Sequence, residues 1–177
     1  FKPANRESNR PGVITPVMPT TPRYQHTQFG TFIVGSLVAF ALVLVSLGLA
    51  LGDRILALGA PAVVKVAAIL GGPAMMGIAA LLFYALTVEI DDAHLKFHFG
   101  VGLIRKRIPL AEIVAVKPAR NSWVYGWGIH RTPHGWLYNV SGWEAVEITL
   151  VSGQRLRLGT DEPRRLTQAL LTAVGRN

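Results

Sequence analysis

The chain has no cysteine in its 177 residues. That excludes disulfides, thiol nucleophiles and thiolate-held metals together. Acidic residues are scarce, 10 against 18 Lys and Arg, and their scatter shows no paired-carboxylate spacing for acid–base catalysis. Charge is missing altogether from two long stretches, Phe29 to Leu51 and Val66 to Leu86. A bilayer core is about 30 Å thick and a helix rises about 1.5 Å per residue, so about 20 apolar residues cross it. Both stretches are long enough. Water is absent from hydrocarbon, so each must bond its own backbone as a helix. Neither carries an ionisable group near its centre, and ion or proton paths require such groups. Transport by this chain alone is not expected.

What is present divides into three parts: a Pro-rich arm (1–28), a two-helix transmembrane hairpin (29–86) and a C-terminal domain (87–177). The net charge of +8 is spread along them. The arm holds Lys2, Arg6, Arg10 and Arg23 against Glu7, the hairpin Arg54 and Lys65 against Asp53, and the remaining cationic excess lies beyond Thr87. Both flanks of the hairpin are basic and its turn, Gly52 to Lys65, is nearly neutral. Short basic flanks stay in the cytoplasm, so the expectation is a bacterial inner-membrane protein with both termini cytoplasmic. A basic surface beside a membrane meets anionic lipid first, and no nucleic-acid partner is expected.

The arm carries Pro3, Pro11, Pro16, Pro19 and Pro22, a density that forbids helix and leaves few donors for a sheet. It reads as extended, either a plain tail or a strap lying along a neighbouring subunit. It lacks the continuous apolar core of a cleavable signal. Tyr24, just before the first apolar run, fits an interfacial aromatic position. Small residues on the second run (Gly71, Gly72, Gly77 and several Ala) allow close helix approach, to the first helix or to another protein. Gly71-Gly72-Pro73 predicts a kink or break there.

Beyond Thr87 the period changes. Leu95, Phe97 and Phe99 alternate with His94, Lys96 and His98, the pattern of a half-buried antiparallel strand. Leu103 to Ile108, Glu112 to Lys117, Trp136 to Val140, Glu144 to Val151 and Gln154 to Leu158 read as further strands, with Ser152-Gly153 closing a tight hairpin. Thr160-Asp161-Glu162-Pro163 then starts a helix. Leu166, Ala169, Leu170, Ala173 and Val174 form its one apolar face. Six or seven strands followed by one amphipathic helix are predicted.

That order, attached directly to a membrane hairpin, resembles the bacterial PH-like (pleckstrin-homology-like) domain membrane proteins. The residues carrying the resemblance are Val88-Glu-Ile-Asp-Asp92, Ile108-Pro-Leu-Ala-Glu-Ile113, Ala145-Val-Glu-Ile148, Leu158-Gly-Thr-Asp-Glu-Pro163 and, most specifically, the segment Tyr125 to Gly142 with its Tyr-Gly-Trp-Gly-Ile-His-Arg-Thr-Pro-His-Gly-Trp core. It spans Thr87 to Val174, about half the chain. It implies an α+β PH-like domain, two nearly orthogonal antiparallel sheets capped by one C-terminal helix, and brings no catalytic residues.

The segment Asn121 to Trp143 holds all four tryptophans. Trp123, Tyr125, Trp127, His130, Arg131 and Trp136 form a candidate interaction surface, since Trp, Tyr and Arg suit interfaces and headgroup layers. The competing reading is that these aromatics complete a small core and pin a long loop. His130 and His134 lack a third ligand, and His94 with His98 reads as solvated, so neither a metal nor any other cofactor is expected. Arg105, Arg107, Arg155 and Arg157 alternate along two strands and are candidate contacts to anionic headgroups. The expected role is a non-catalytic scaffold or accessory subunit of a larger membrane assembly, such as a respiratory or photosynthetic complex. Its expected partners are membrane lipids and other membrane subunits. The alternative is a module that reads anionic headgroups.

Overall fold

The computed structural model describes residues 23–59 and 61–175. The order is β1 (Tyr24–Phe29), α1 (Thr31–Ala57), α2 (Ala62–Phe83), β2 (Ala85–Ile90), β3 (His94–Phe99), β4 (Ile104–Pro109), β5 (Ile113–Arg120), β6 (Gly128–Thr132), β7 (Gly135–Asn139), β8 (Glu144–Leu150), β9 (Arg155–Gly159) and α3 (Pro163–Val174). Short 3-10 turns lie at Leu110–Glu112 and Trp123–Tyr125.

The helices α1 and α2, 27 and 22 residues long, are long and apolar enough to cross a membrane. They reach about 40 and about 33 Å at the usual rise. The core helix of a soluble protein has the same composition but is buried. Here α2 has no buried residue and α1 is almost wholly uncovered. The two pack on each other through glycine. A Cβ on Gly48 would sit 3.0 Å from the Ile69 backbone, and one on Gly72 would sit 2.6 Å from Leu44. Gly71 and Gly77 face open space. No break occurs at Gly71-Gly72-Pro73, because α2 runs through Pro73 in one helix. Asp53 and Lys65, expected in the turn, lie within the helices and bond at 2.6 Å near their joined ends.

Among the described residues nine strands form two sheets, β1-β2-β3-β4 and β5-β8-β9-β7-β6. The second is mixed, because β7 and β9 run parallel; the resemblance had implied antiparallel pairing alone. The apolar faces of both sheets and of α3 share one core, in which Leu86, Ile90, Leu95, Phe97, Phe99, Ile148, Leu158, Leu166 and Leu170 are fully buried. Each contributes about 1.5–3 kcal/mol on burial.

The sequence reading misses β1. The end of the arm, expected to stay outside the domain, pairs antiparallel with β2 from Tyr24↔Ile90 to Phe29↔Ala85. The helical hairpin is therefore inserted between two adjacent strands, and the C-terminal domain gains a strand from before it. Of the strap expected over residues 1–28, residues 1–22 lie outside the described residues. Tyr24, expected at an interfacial position, sits at the end of β1 away from the helices. Its ring packs on the core, and burial, followed by the charge of Glu162, pushes its pKa up to about 12. His26 ties β1 to the start of α3, with Nε2 2.5 Å from Asp161 Oδ1 and Nδ1 3.5 Å from Glu162 Oε2.

Candidate functional site: a basic sheet face rising from the helix pair

The helices leave the domain from the end of the first sheet. Gly30, after β1, donates its N–H to the Tyr84 carbonyl at 2.7 Å, and Gly100, after β3, donates to the Ala85 carbonyl at 2.8 Å. Gly100 has φ +46°, and a Cβ there would collide with the carbonyl of Leu81. Only glycine lets the β3–β4 turn press against the last turn of α2. At its tip Val101 and Leu103 are exposed.

From that turn a groove of about 610 Å³ runs along the outer face of β2, β3 and β4. Register explains what lines it. Lys96 stands opposite Arg107 and His98 opposite Arg105, with Glu89 next to Lys96 on β2. Residues directly opposite share a face, and like charges placed so repel. Lys96 is relieved by Asp91 Oδ2 at 2.6 Å. Arg107 donates to His94 Nδ1 at 3.0 Å. Arg105 has no ion-pair partner among the described residues, and the buried His98 Nδ1 has no hydrogen-bond partner. Lys106 turns the other way, 3.1 Å from Tyr138 Oη and over its ring. Glu89 is the one acid lining the groove, and Gln25 donates to it at 3.1 Å.

Asp91 anchors the far end of this face. Burial opposes its charge most. The hydrogen bond from Lys96, the backbone N–H groups of Ala93 and His94 and the Lys96 charge outweigh it, and together bring the carboxyl from 3.8 to about 2.

The four arginines expected to hold headgroups do not form one surface. Arg105 and Arg107 line the groove. Arg155 is exposed on the second sheet, at the end of β9 away from the helices. Arg157 is corrected to a structural residue. It is buried, with Nε 2.9 Å and Nη2 2.8 Å from Glu147 Oε2, and cannot reach a headgroup. Glu147, 3 % exposed, also receives Lys117 at 3.1 Å. Its burial raises the carboxyl pKa, but Arg157 and Lys117 more than offset this and hold it below the usual range.

The aromatic segment divides as well. Residues 121–127 arch beside β6 and are pinned at three points. Asn121 donates its N–H to the Trp143 carbonyl at 2.7 Å. The Tyr125 ring lies edge-on to His134, 6.2 Å between centroids. Trp127 stacks on Phe32 in the first turn of α1 at 5.4 Å and lies 5.5 Å from Trp143. Trp127, Trp143 and Phe32 thus make an aromatic collar where α1 enters the domain. Trp123 remains 77 % exposed. His130 is half-buried on β6, a strand outside those that the sequence pattern predicts. Arg131 and Trp136 sit opposite each other near the β6–β7 turn, away from the helices.

Among the described residues no cluster of three His, Asp or Glu could hold a metal. No family model matches the chain, and no curated protein or solved structure does either.

Proposed function

We propose that this chain is a membrane-anchored scaffold of PH-like type, without catalytic function, whose basic groove seats anionic phospholipid headgroups at the bacterial inner membrane. On this reading α1 and α2 cross the bilayer, both ends of the pair face the cytoplasm, and the domain rests on the inner leaflet. The observation that carries it is the cross-strand stacking of like charge, Lys96 on Arg107, beside an Arg105 without an ion-pair partner among the described residues, in a groove that starts against the last turn of α2. A sheet face with that repulsion favours an anion, and a groove at the helix end lies at headgroup depth. The Trp127–Trp143–Phe32 collar supports the same placement, since Trp collects at the membrane–water interface. So do the exposed Val101 and Leu103 at the turn.

The test uses the full chain in neutral detergent, with thermal unfolding followed as short-chain phosphatidylglycerol or phosphatidylcholine is added. Ligand that binds the folded state raises the transition. Phosphatidylglycerol should raise it and phosphatidylcholine should not. The response should fade with salt and weaken about 30-fold in Arg105→Gln/Arg107→Gln, at about 1 kcal/mol per charge. Equal responses to both lipids, or an unchanged double variant, would refute the headgroup reading.

A further inference from the structure

The end of the second sheet away from the helices carries a second cationic cleft, of about 420 Å³, lined by Arg131, Thr132, Pro133, Trp136, Gln154 and Arg155 among others. It forms where the β6–β7 turn lies down on the start of β9. Gly135 has φ +102°, and a Cβ there would collide with the Arg155 carbonyl. Glycine at this one position lets the two turns touch and fixes the walls. The turn is braced further by Thr132 Oγ1, which donates to the Gly135 carbonyl at 2.9 Å.

No acid lines this cleft, and neither Arg131 nor Arg155 is held by an ion pair among the described residues, although Glu147 holds Arg157 two residues along the same strand. Trp136, opposite Arg131 in register, is 45 % exposed. Two guanidinium groups and a half-exposed indole lining one cleft are the residue types that carry most binding energy at protein interfaces. Guanidinium also pairs carboxylate bidentately. Headgroups are a poor fit here. The five residues of β6 put this end about 16 Å beyond the helix end of the sheet.

We infer that the Arg131–Trp136–Arg155 cleft docks an acidic peptide segment of a partner protein. This rests on the scaffold reading and gives the scaffold a partner of defined chemistry, on the opposite end from the lipid groove. An extended nucleic acid would need a longer cationic track than two arginines. A strand carrying two or three carboxylates matches the cleft in charge and size.

The experiment measures anisotropy of a fluorescein-labelled hexaglutamate peptide with the full chain in neutral detergent, against a hexaglutamine control. Binding should be specific for hexaglutamate and lost at high salt. Arg131→Gln/Arg155→Gln should weaken it at least about tenfold, as loss of charge-assisted contacts requires, with an unchanged unfolding temperature. Trp136→Phe, which keeps the ring and removes the indole, should weaken it less. Arg105→Gln/Arg107→Gln should leave peptide binding intact while weakening the phosphatidylglycerol response about 30-fold, so failure of the lipid reading and failure of this one appear in different variants. The inference is overturned if no peptide binds at low salt. It is equally overturned if the Arg105/Arg107 variant alone loses binding, or if a labelled single-stranded oligonucleotide binds the cleft more tightly than the peptide.

Discussion

Gly30 and Tyr84 face each other across the base of the helical pair, the glycine N–H donating to the tyrosine carbonyl at 2.7 Å. That bond is the last rung of the β1–β2 ladder. The start of α1 and the end of α2 are therefore both held by backbone of a sheet, and the domain is fixed to the hairpin on both sides rather than hung from one linker.

The ladder can be locked covalently. Thr27 and Thr87 are register partners with Oγ1 atoms 2.9 Å apart, well within the approach a disulfide needs. In a chain with no native cysteine, Thr27→Cys/Thr87→Cys should oxidise spontaneously and shift mobility on a non-reducing gel. The bridge should raise the unfolding free energy by about 2–4 kcal/mol. Persistently free thiols under oxidising conditions would contradict the pairing.

Gly100 should tolerate no side chain. Gly100→Ala forces a Cβ against the Leu81 carbonyl in a left-handed backbone. Strain of this kind costs about 1–3 kcal/mol. The measurable result is a lower unfolding temperature together with greater protease access at the β3–β4 turn. Gly77→Ala, which meets only open space, is the control and should be neutral.

The buried pair of the second sheet should be asymmetric to mutation. Glu147→Gln leaves the Arg157 guanidinium buried without its counter-charge, a loss of about 3–5 kcal/mol. Glu147→Gln/Arg157→Met removes both charges and should recover much of that, read as a higher unfolding temperature than the single variant. If the single variant unfolds like the parent, Arg157 has access to water that its burial denies.

Acid should act through Asp91. Its folded-state pKa is depressed from 3.8 to about 2, so its contribution is complete above the unfolded value and disappears as pH falls through the folded one. Unfolding temperature should drop between about pH 5 and pH 2. In Asp91→Asn the fall should be shallower across that window, with lower stability at neutral pH. A parallel pair of pH curves would show that another carboxylate dominates.

Local signals are legible in the sequence. The alternation of Leu95, Phe97 and Phe99 gives β3, Ser152-Gly153 gives the β8–β9 turn, and the Leu166 to Val174 spacing gives α3, because each signal lies within a few residues. What was missed depends on distant partners. Tyr24–Phe29 is mostly polar and follows a run of prolines, and it is a strand only because β2 lies beside it beyond two helices. Gly128–Thr132 is framed by glycines, and β7 makes it a strand. Arg155 and Arg157 occupy equivalent positions in the sequence pattern, and only Glu147 on the adjacent strand separates a free arginine from a buried one. A sign of that pairing was present, since Glu147 is the one acid within the apolar run Ala145 to Ile148 and needed a cation. The groove was half legible. Arg105 and Arg107 were found from alternation, while Lys96 and His98 joined them through cross-strand register.

The insertion of two helices between paired strands has a consequence for biogenesis. The ribosome delivers β1 first and β2 only after both apolar segments have emerged. If one segment alone threads the bilayer, the two strands are stranded in different compartments and the first sheet cannot close. On the proposed membrane reading, a closed first sheet therefore requires that both helices cross, since β1 and β2 must end on one side.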